Sequence, residues 1–197
     1  MWEDRYKGSD YLYGKAPSQV LRTHEDLLVA GGTALAVADG EGRNSVFMAE
    51  RGMQVTALDY APSAIAKARK LAAERGVTVD FRTCDVLAGD WPGTYDLVAG
   101  IFIQFVGPEG RRKIFDRIKG ATAPGGTALL HGYTPDQVGR GTGGPGRVEN
   151  MYTETILRAA FVGWEVRDCR AYEADLAAGA GQSGRSALID FVARKPA

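Results

Sequence analysis

From Thr33 onward, short apolar runs alternate with stretches of helical period, and this alternation restricts the fold more than any other feature of the chain. The run "TALAVAD" (33–39) leads through "GEGRN" into a helical pattern that Gly52 is placed to end. "QVTALD" (54–59) is a second strand, and "APSAIAKARKLAAERG" (61–76) a helix opened by Pro62 or Ser63 and closed by Gly76. "VTVDFRTCD" (77–85) is a third strand. "YDLVAGIFI" (95–103) is a fourth, nearly all apolar, as a strand covered on both faces must be. A helix starts after Pro108, and "GGTALLHGY" (125–133) is a fifth strand. A glycine-rich loop, a helix over "YTETILRAAF" and two strands, 164–174 and 185–195, complete the chain, the last two close enough to form an antiparallel pair. Strands that alternate with helices of this length predict a parallel sheet with helices on both faces.

The 197 residues suffice for one buried core, with neither an internal repeat nor a domain boundary. Residues 1–32 read as a loop and helix that act as a lid, and 33–197 as the sheet core. Apolar residues make up 45% and charged residues 24%, with zero formal net charge. That balance argues against nucleic acid as a partner, because phosphate binding calls for a basic excess. No apolar run approaches the roughly 18–20 residues of a membrane span, and the polar opening is no signal peptide, so a cytoplasmic protein is expected. Cys84 and Cys169 lie far apart and no Cys/His cluster is visible. The spacing therefore predicts no metal site and a metal-independent reaction.

In an open α/β sheet, ligands bind where strands end and the strand order reverses. Gly40 and Gly42 lie just past the first strand and would let a ligand approach the backbone. Asp59, at the end of the next strand, stands at the spacing of an acid that accepts ribose hydroxyls. Asp85 ends the third strand; it fits an adenine amino group, with the Val86 N–H beside it, or else a turn cap. These features together point to a nucleoside-containing cofactor. A dinucleotide is disfavoured, since Ser45 replaces the third glycine of G-x-G-x-x-G and Glu41 would face a pyrophosphate.

With these residues the chain resembles the class I S-adenosylmethionine-dependent methyltransferases, and most of all their small tellurite-resistance-type branch. The resemblance rests on "GEGRN", an acid after each of the next two strands, "YDLV", "PGG", "TGGP", and an opening with Trp2, Arg5, Tyr6, Tyr11, Tyr13, Gly14 and Pro17. It implies a single-domain, doubly wound, mostly parallel seven-stranded Rossmann-like sheet with an antiparallel C-terminal pair. It also implies S-adenosyl-L-methionine as cofactor, held by Tyr13, Asp39, Gly40, Glu41, Gly42, Arg43, Asn44, Asp59, Tyr60, Cys84, Asp85, Val86, Ile101 and Gln104. Two departures stand out: Ala38 replaces the first glycine of the turn, and Ala36 the acid that steadies it. Asp39 is near enough to substitute toward the cofactor's ammonium group.

A small-molecule acceptor is expected: a thiol, a chalcogenide or a hydroxyl. The Asn/Asp-Pro-Pro-aromatic run of nucleobase amino methylases is missing after the fourth strand. Phe102, Gln104 and Phe105 are candidates for the acceptor pocket or for core. His131, with Tyr133 on the same side of the fifth strand, is the candidate catalytic pair, with a hydrogen-bonded structural histidine as the alternative. His24 reads as a surface residue on a helix. The loop at 139–146 reads as a mobile lid or a plain connector, with Arg140 and Arg147 either solvated at the surface or able to meet an anionic acceptor. Two other functions compete: a non-catalytic cofactor-binding module, and an NAD(P)-dependent oxidoreductase. A monomer or homodimer fits equally.

Overall fold

The computed structural model describes residues 2–197. Seven strands form one sheet: β1 (Thr33–Val37), β2 (Gln54–Asp59), β3 (Asp80–Thr83), β4 (Tyr95–Ile101), β5 (Thr122–Tyr133), β6 (Glu165–Ala178) and β7 (Gln182–Arg194). Their order is β3-β2-β1-β4-β5-β7-β6. All neighbours up to β5 are parallel; β7 enters antiparallel between β5 and β6. The expected antiparallel pair exists, with its later strand on the inside.

The helices are α1 (Trp2–Tyr6), α2 (Gln19–Thr23), α3 (Arg43–Glu50), α4 (Pro62–Arg75), α5 (Pro108–Ala121) and α6 (Glu154–Ala160). Proline starts α4 and α5, where its missing N–H costs nothing. Gly76 ends α4 in a left-handed cap at φ 68°. Ala34 and Ala36 of β1 pack with Val46 and Phe47 of α3, Leu71 of α4 and Leu21 of α2 on one face. Leu35 and Val37 turn to the other face, against Ile114, Phe115 and Ile118 of α5 and Phe161 after α6. The period-2 alternation of β1 is thus apolar on both sides, as a central parallel strand requires.

After β1 the chain runs outward to β2, and β4 lies on β1's other side. The crevice for a ligand is therefore at the carboxyl ends of β1 and β4. The two non-glycine residues with left-handed backbone stand there: Ala38, after β1, at φ 49°, and Phe102, after β4, at φ 57°. Strain of this kind gathers at functional sites. An L-residue in this region costs about 1–2 kcal/mol, and glycine recovers it less about 0.5–1 kcal/mol of chain entropy. Ala38→Gly is expected to stabilise the fold by about 0.5–1 kcal/mol in urea unfolding. A lower midpoint would show that the Ala38 methyl contributes packing that outweighs the strain.

Candidate functional site

The turn after β1 is built by Asp39 and Asp59. Asp59 accepts from Gly40 N at 2.7 Å and from Ala61 N at 2.9 Å, so its carboxylate ties the glycine turn to the start of α4. Burial raises its pKa, and those backbone donors pull it back. Beyond these backbone donors the carboxylate keeps lone-pair capacity for a hydroxyl. Tyr60, beside it, is exposed (64%) and offers a ring face. Asp39 accepts from the Ser45 hydroxyl at 2.5 Å and so caps the first turn of α3. Desolvation pushes its pKa up to about 7, against the pull of Ser45.

The two glycines do different things. A Cβ on Gly40 would meet the Tyr6 hydroxyl at 3.0 Å, so this backbone faces the N-terminal cover and the ligand side. A Cβ on Gly42 would meet the Ala68 Cβ at 2.7 Å. Gly42 is thus required for α3 to approach α4, and the expectation that it opens the backbone to a ligand is corrected.

The charged residues of "GEGRN" face the N-terminal segment. Glu41 accepts from Leu12 N at 2.8 Å and pairs with Lys67 at 2.7 Å. Arg43 donates to the Tyr13 carbonyl at 3.0 Å and to Gln182 Oε1 at 3.1 Å. Asn44 accepts from Ser18 N at 2.9 Å. Residues 11–18 are thereby latched across the turn, and Gly181, at the tip of the β6–β7 hairpin, donates to the Leu12 carbonyl at 3.0 Å from the other side. Glu41, Arg43 and Asn44 thus all hold the cover. Above them, Trp2 stacks on Tyr6 and meets Phe105 edge-on. Glu3 holds Ser63 through both its hydroxyl and its N–H. A cavity of 10 Å³, room for about one water, lies among Ala36, Val37, Asp39, Asn44, Ala99 and Ile101. A cavity of 230 Å³ lined by Gly125, Glu165, Arg194 and Lys195 lies at the opposite end of the sheet.

Beside β3, Asp85 caps a turn through Leu87 N at 2.9 Å, the local alternative foreseen for it, while leaving the residue exposed. Cys84 turns its thiol to the carbonyls of Asp85 and Asp90. Val86 is buried in the second core cluster. Gln104 is spent on structure: its amide donates to the Tyr133 carbonyl at 2.8 Å and accepts from Tyr133 N at 2.7 Å. It fastens the end of β5 and is not free to line a pocket, which corrects its assignment.

The candidate pair also changes. His131 is buried, with Nδ1 2.6 Å from Asp190 Oδ1 and its ring under Phe102. The Asp190 contact is the hydrogen-bonded arrangement foreseen as the alternative for His131, and it fixes the ring's orientation. Tyr133 is buried with its hydroxyl unpartnered, against Gly143, and with Gln182 nearby. Burial raises its pKa, so it is a neutral donor at physiological pH. Arg43, Gln182 and Tyr133 form the polar wall under the cover. The 139–146 loop has fixed partners: Gln137 donates to Thr142 and to the Gly143 carbonyl, and Thr142 donates to the Arg185 carbonyl at 3.1 Å. Arg140 is paired with Glu173, and Arg147 lies 3.9 Å from Glu149.

His24 is no surface residue on a helix. It follows the last residue of α2 with its side chain 16% exposed, 3.2 Å from Asp168. His24, Asp168 and Asp190 bring one ligand atom each within 4.8 Å of one another. The absence of a ligand cluster expected from spacing is thereby corrected. No short-range pattern could reveal it, since the three residues come from α2, β6 and β7. Among the described residues no helix is long and apolar enough to cross a membrane.

Residues 34–126 match a family described as a methyltransferase domain. The ubiquinone biosynthesis O-methyltransferase of Azotobacter vinelandii is 38% identical over 99 residues, 49% of this chain and 43% of that protein. That of Pseudomonas paraeruginosa is 37% identical over the same length. The chain thus spans less than half the length of these curated relatives. Among solved structures, TehB from Haemophilus influenzae superposes with a TM-score of 0.72 at 18% identity, over 98% of this chain and 65% of that one. The N-methyltransferase NodS from Bradyrhizobium japonicum, in complex with S-adenosyl-L-homocysteine, gives a TM-score of 0.73 at 18% identity, over 100% and 97%.

Proposed function

We propose that this chain, whose residues 34–126 match a methyltransferase domain, is a class I methyltransferase that transfers a methyl group from S-adenosyl-L-methionine to a small molecule. The observation that carries the reading is the Gly40 turn tied to Asp59 at the crevice between β1 and β4, with Tyr60 exposed alongside. These residues fit the nucleoside: a glycine backbone that carries no side chain at the crevice and a carboxylate with lone-pair capacity for ribose. Asp39 is placed for an ammonium group. When bound, the cofactor supplies a methyl group activated on a sulfonium.

The chain's own residues hold and align. Positioning of this kind can supply roughly 7–11 kcal/mol. The cover of residues 2–18 excludes water, and Phe102, Tyr133 and Arg43 bound the acceptor side. A thiol or chalcogenide acceptor needs little help with its proton, because a thiol of pKa about 8.5 is already partly ionised. Hydroxyl acceptors remain in the class, since the curated relatives are named for O-methylation. No metal is needed at the reacting centre, so turnover is expected to persist after exhaustive chelation.

The test is calorimetric titration with S-adenosylmethionine, S-adenosylhomocysteine and NADH. Binding of the first two alone supports the reading. Binding of NADH instead would favour an oxidoreductase. Cofactor binding without turnover across thiol, selenol and phenol acceptors would leave a binding module.

Asp39 makes binding pH-dependent. Its folded pKa of about 7 exceeds the ordinary 3.8, so the protonated acid supports the fold fully below pH 4 and that support is lost as pH rises through 7. A neighbouring ammonium favours the carboxylate. Cofactor affinity is expected to climb between about pH 5 and 7, by up to about tenfold per unit, and then level off, with a proton released on binding below pH 7. Calorimetry in buffers of different ionisation enthalpy reads both. A flat profile would remove Asp39 from the ammonium.

A further inference from the structure

We propose that His24, Asp168 and Asp190 form a binding site for one divalent transition-metal cation, zinc being the probe. The site lies outside the crevice, on the α3 face of the sheet's outer edge, and does not depend on the methyltransferase reading. Asp190 is fully buried on β7. Its Oδ1 is held by two donors, His131 at 2.6 Å and the Tyr172 hydroxyl at 3.0 Å. Its Oδ2 is buried and has no hydrogen-bond partner. The bare oxygen faces His24 Nε2 at 4.0 Å, and that nitrogen, also buried, is unpartnered too. Asp168 Oδ2 stands 3.2 Å from the same nitrogen without making a hydrogen bond to it. Bare atoms this far apart around one point are what a cation with bonds of about 2.0–2.2 Å requires.

The backbone supports the arrangement. Val166 pairs with Ala193 but Asp168 pairs with Val192, so β6 carries one extra residue between them. Residues 166 and 168 would otherwise share a face; the bulge turns Asp168 onto the face that carries Asp190. The His131 and Tyr172 contacts orient the Asp190 carboxylate as outer partners orient a ligating acid. Asp168 is 26% exposed on its side chain, which leaves an entry path and room for water in a fourth position. One imidazole and two carboxylates, with no thiolate, suit zinc, manganese or iron. Arg170 approaches Asp190 Oδ2 to 4.0 Å, but its side chain is 57% exposed and can swing away.

The three ligands belong to the end of α2, to β6 and to β7. An ion there would fasten the base of the N-terminal cover to the edge of the sheet. The experiment strips the full chain with a chelator and titrates it with zinc alone, following heat, melting temperature and hydrogen exchange over residues 19–28. One equivalent is expected to bind, to raise the melting temperature and to increase protection of that stretch. Asp168→Asn and His24→Gln are each expected to weaken binding by at least about 100-fold, and Tyr172→Phe by about tenfold. Their melting temperatures without metal report whether each variant folds. Zinc uptake that the first two variants leave unchanged would identify adventitious surface binding and overturn the proposal. No stabilisation by zinc, manganese or ferrous iron would overturn it as well, leaving a buried His–Asp pair.

Discussion

Asp59→Ala is expected to raise the dissociation constant for S-adenosylhomocysteine by about 10²–10⁴-fold. Two hydroxyl hydrogen bonds to a carboxylate are each worth about 1.5–3 kcal/mol. The same substitution removes the acceptor of Gly40 N and Ala61 N, so stability should fall by about 1–3 kcal/mol as those buried donors lose their partner. The two effects are separable. Asp59→Asn keeps one acceptor oxygen, sets its amide group against the second backbone donor and offers ribose no carboxylate, so it should restore part of the stability and little of the affinity. Calorimetry beside urea unfolding gives both readings. Unchanged affinity in Asp59→Ala would falsify the ribose assignment, whatever happened to stability.

The parts of this molecule legible in its sequence are those set by local rules. The run 33–39, the glycines and α3 follow one another as strand, turn and helix because periodicity and φ requirements act over a few residues. The Pro62 start and Gly76 end of α4 were readable for the same reason. The insertion of β7 between β5 and β6 was not read, although its nearly continuous apolar run "ALIDFVA" marks a strand covered on both faces, whereas β6 alternates with charges as an edge strand does. Side-chain commitments were the least legible. Gln104 sits where a pocket residue would, yet both ends of its amide serve the backbone of Tyr133. His131 sits at the right strand end, yet its partner is Asp190, across β7. The His24 cluster needed a bulge in β6 as well as distant contacts. Nothing in a single sequence encodes where such a bulge falls.

The "GEGRN" stretch is the clearest case of a motif whose parts divide among three tasks. Gly40 serves the crevice, Gly42 serves helix packing, and Glu41, Arg43 and Asn44 serve the cover. On the proposed reading, a turn that holds the cofactor and also latches the segment lying over it would couple entry of the ligand to movement of that segment. Opening must break the contacts of residues 11–18, and closing must remake them around the ligand.

Arg43→Ala tests that coupling. The guanidinium is buried (8% exposed) and bridges the Tyr13 carbonyl to Gln182, so it joins the cover to the β6–β7 hairpin. Burial lowers its pKa, yet an arginine remains charged throughout the physiological range. Its two hydrogen bonds, at about 1.5–3 kcal/mol each, hold the segment closed. Their loss is expected to reduce amide protection of residues 12–14 and 181–182 by about 10²–10³-fold, while β1, β4 and β5 keep theirs. Turnover with a saturating acceptor should fall, because water then reaches the sulfonium and the acceptor wall loses its cation. Cofactor binding should change less than in Asp59→Ala, since the ribose partner is intact. Lysine in place of Arg43 keeps the charge but cannot bridge two acceptors in a plane, so it should rescue protection only in part. If protection in Arg43→Ala stays at the level of the unaltered protein, the cover is held by its apolar contacts, Trp2 and Tyr6 against Ala61 and Ala64, and the latch plays no part in opening.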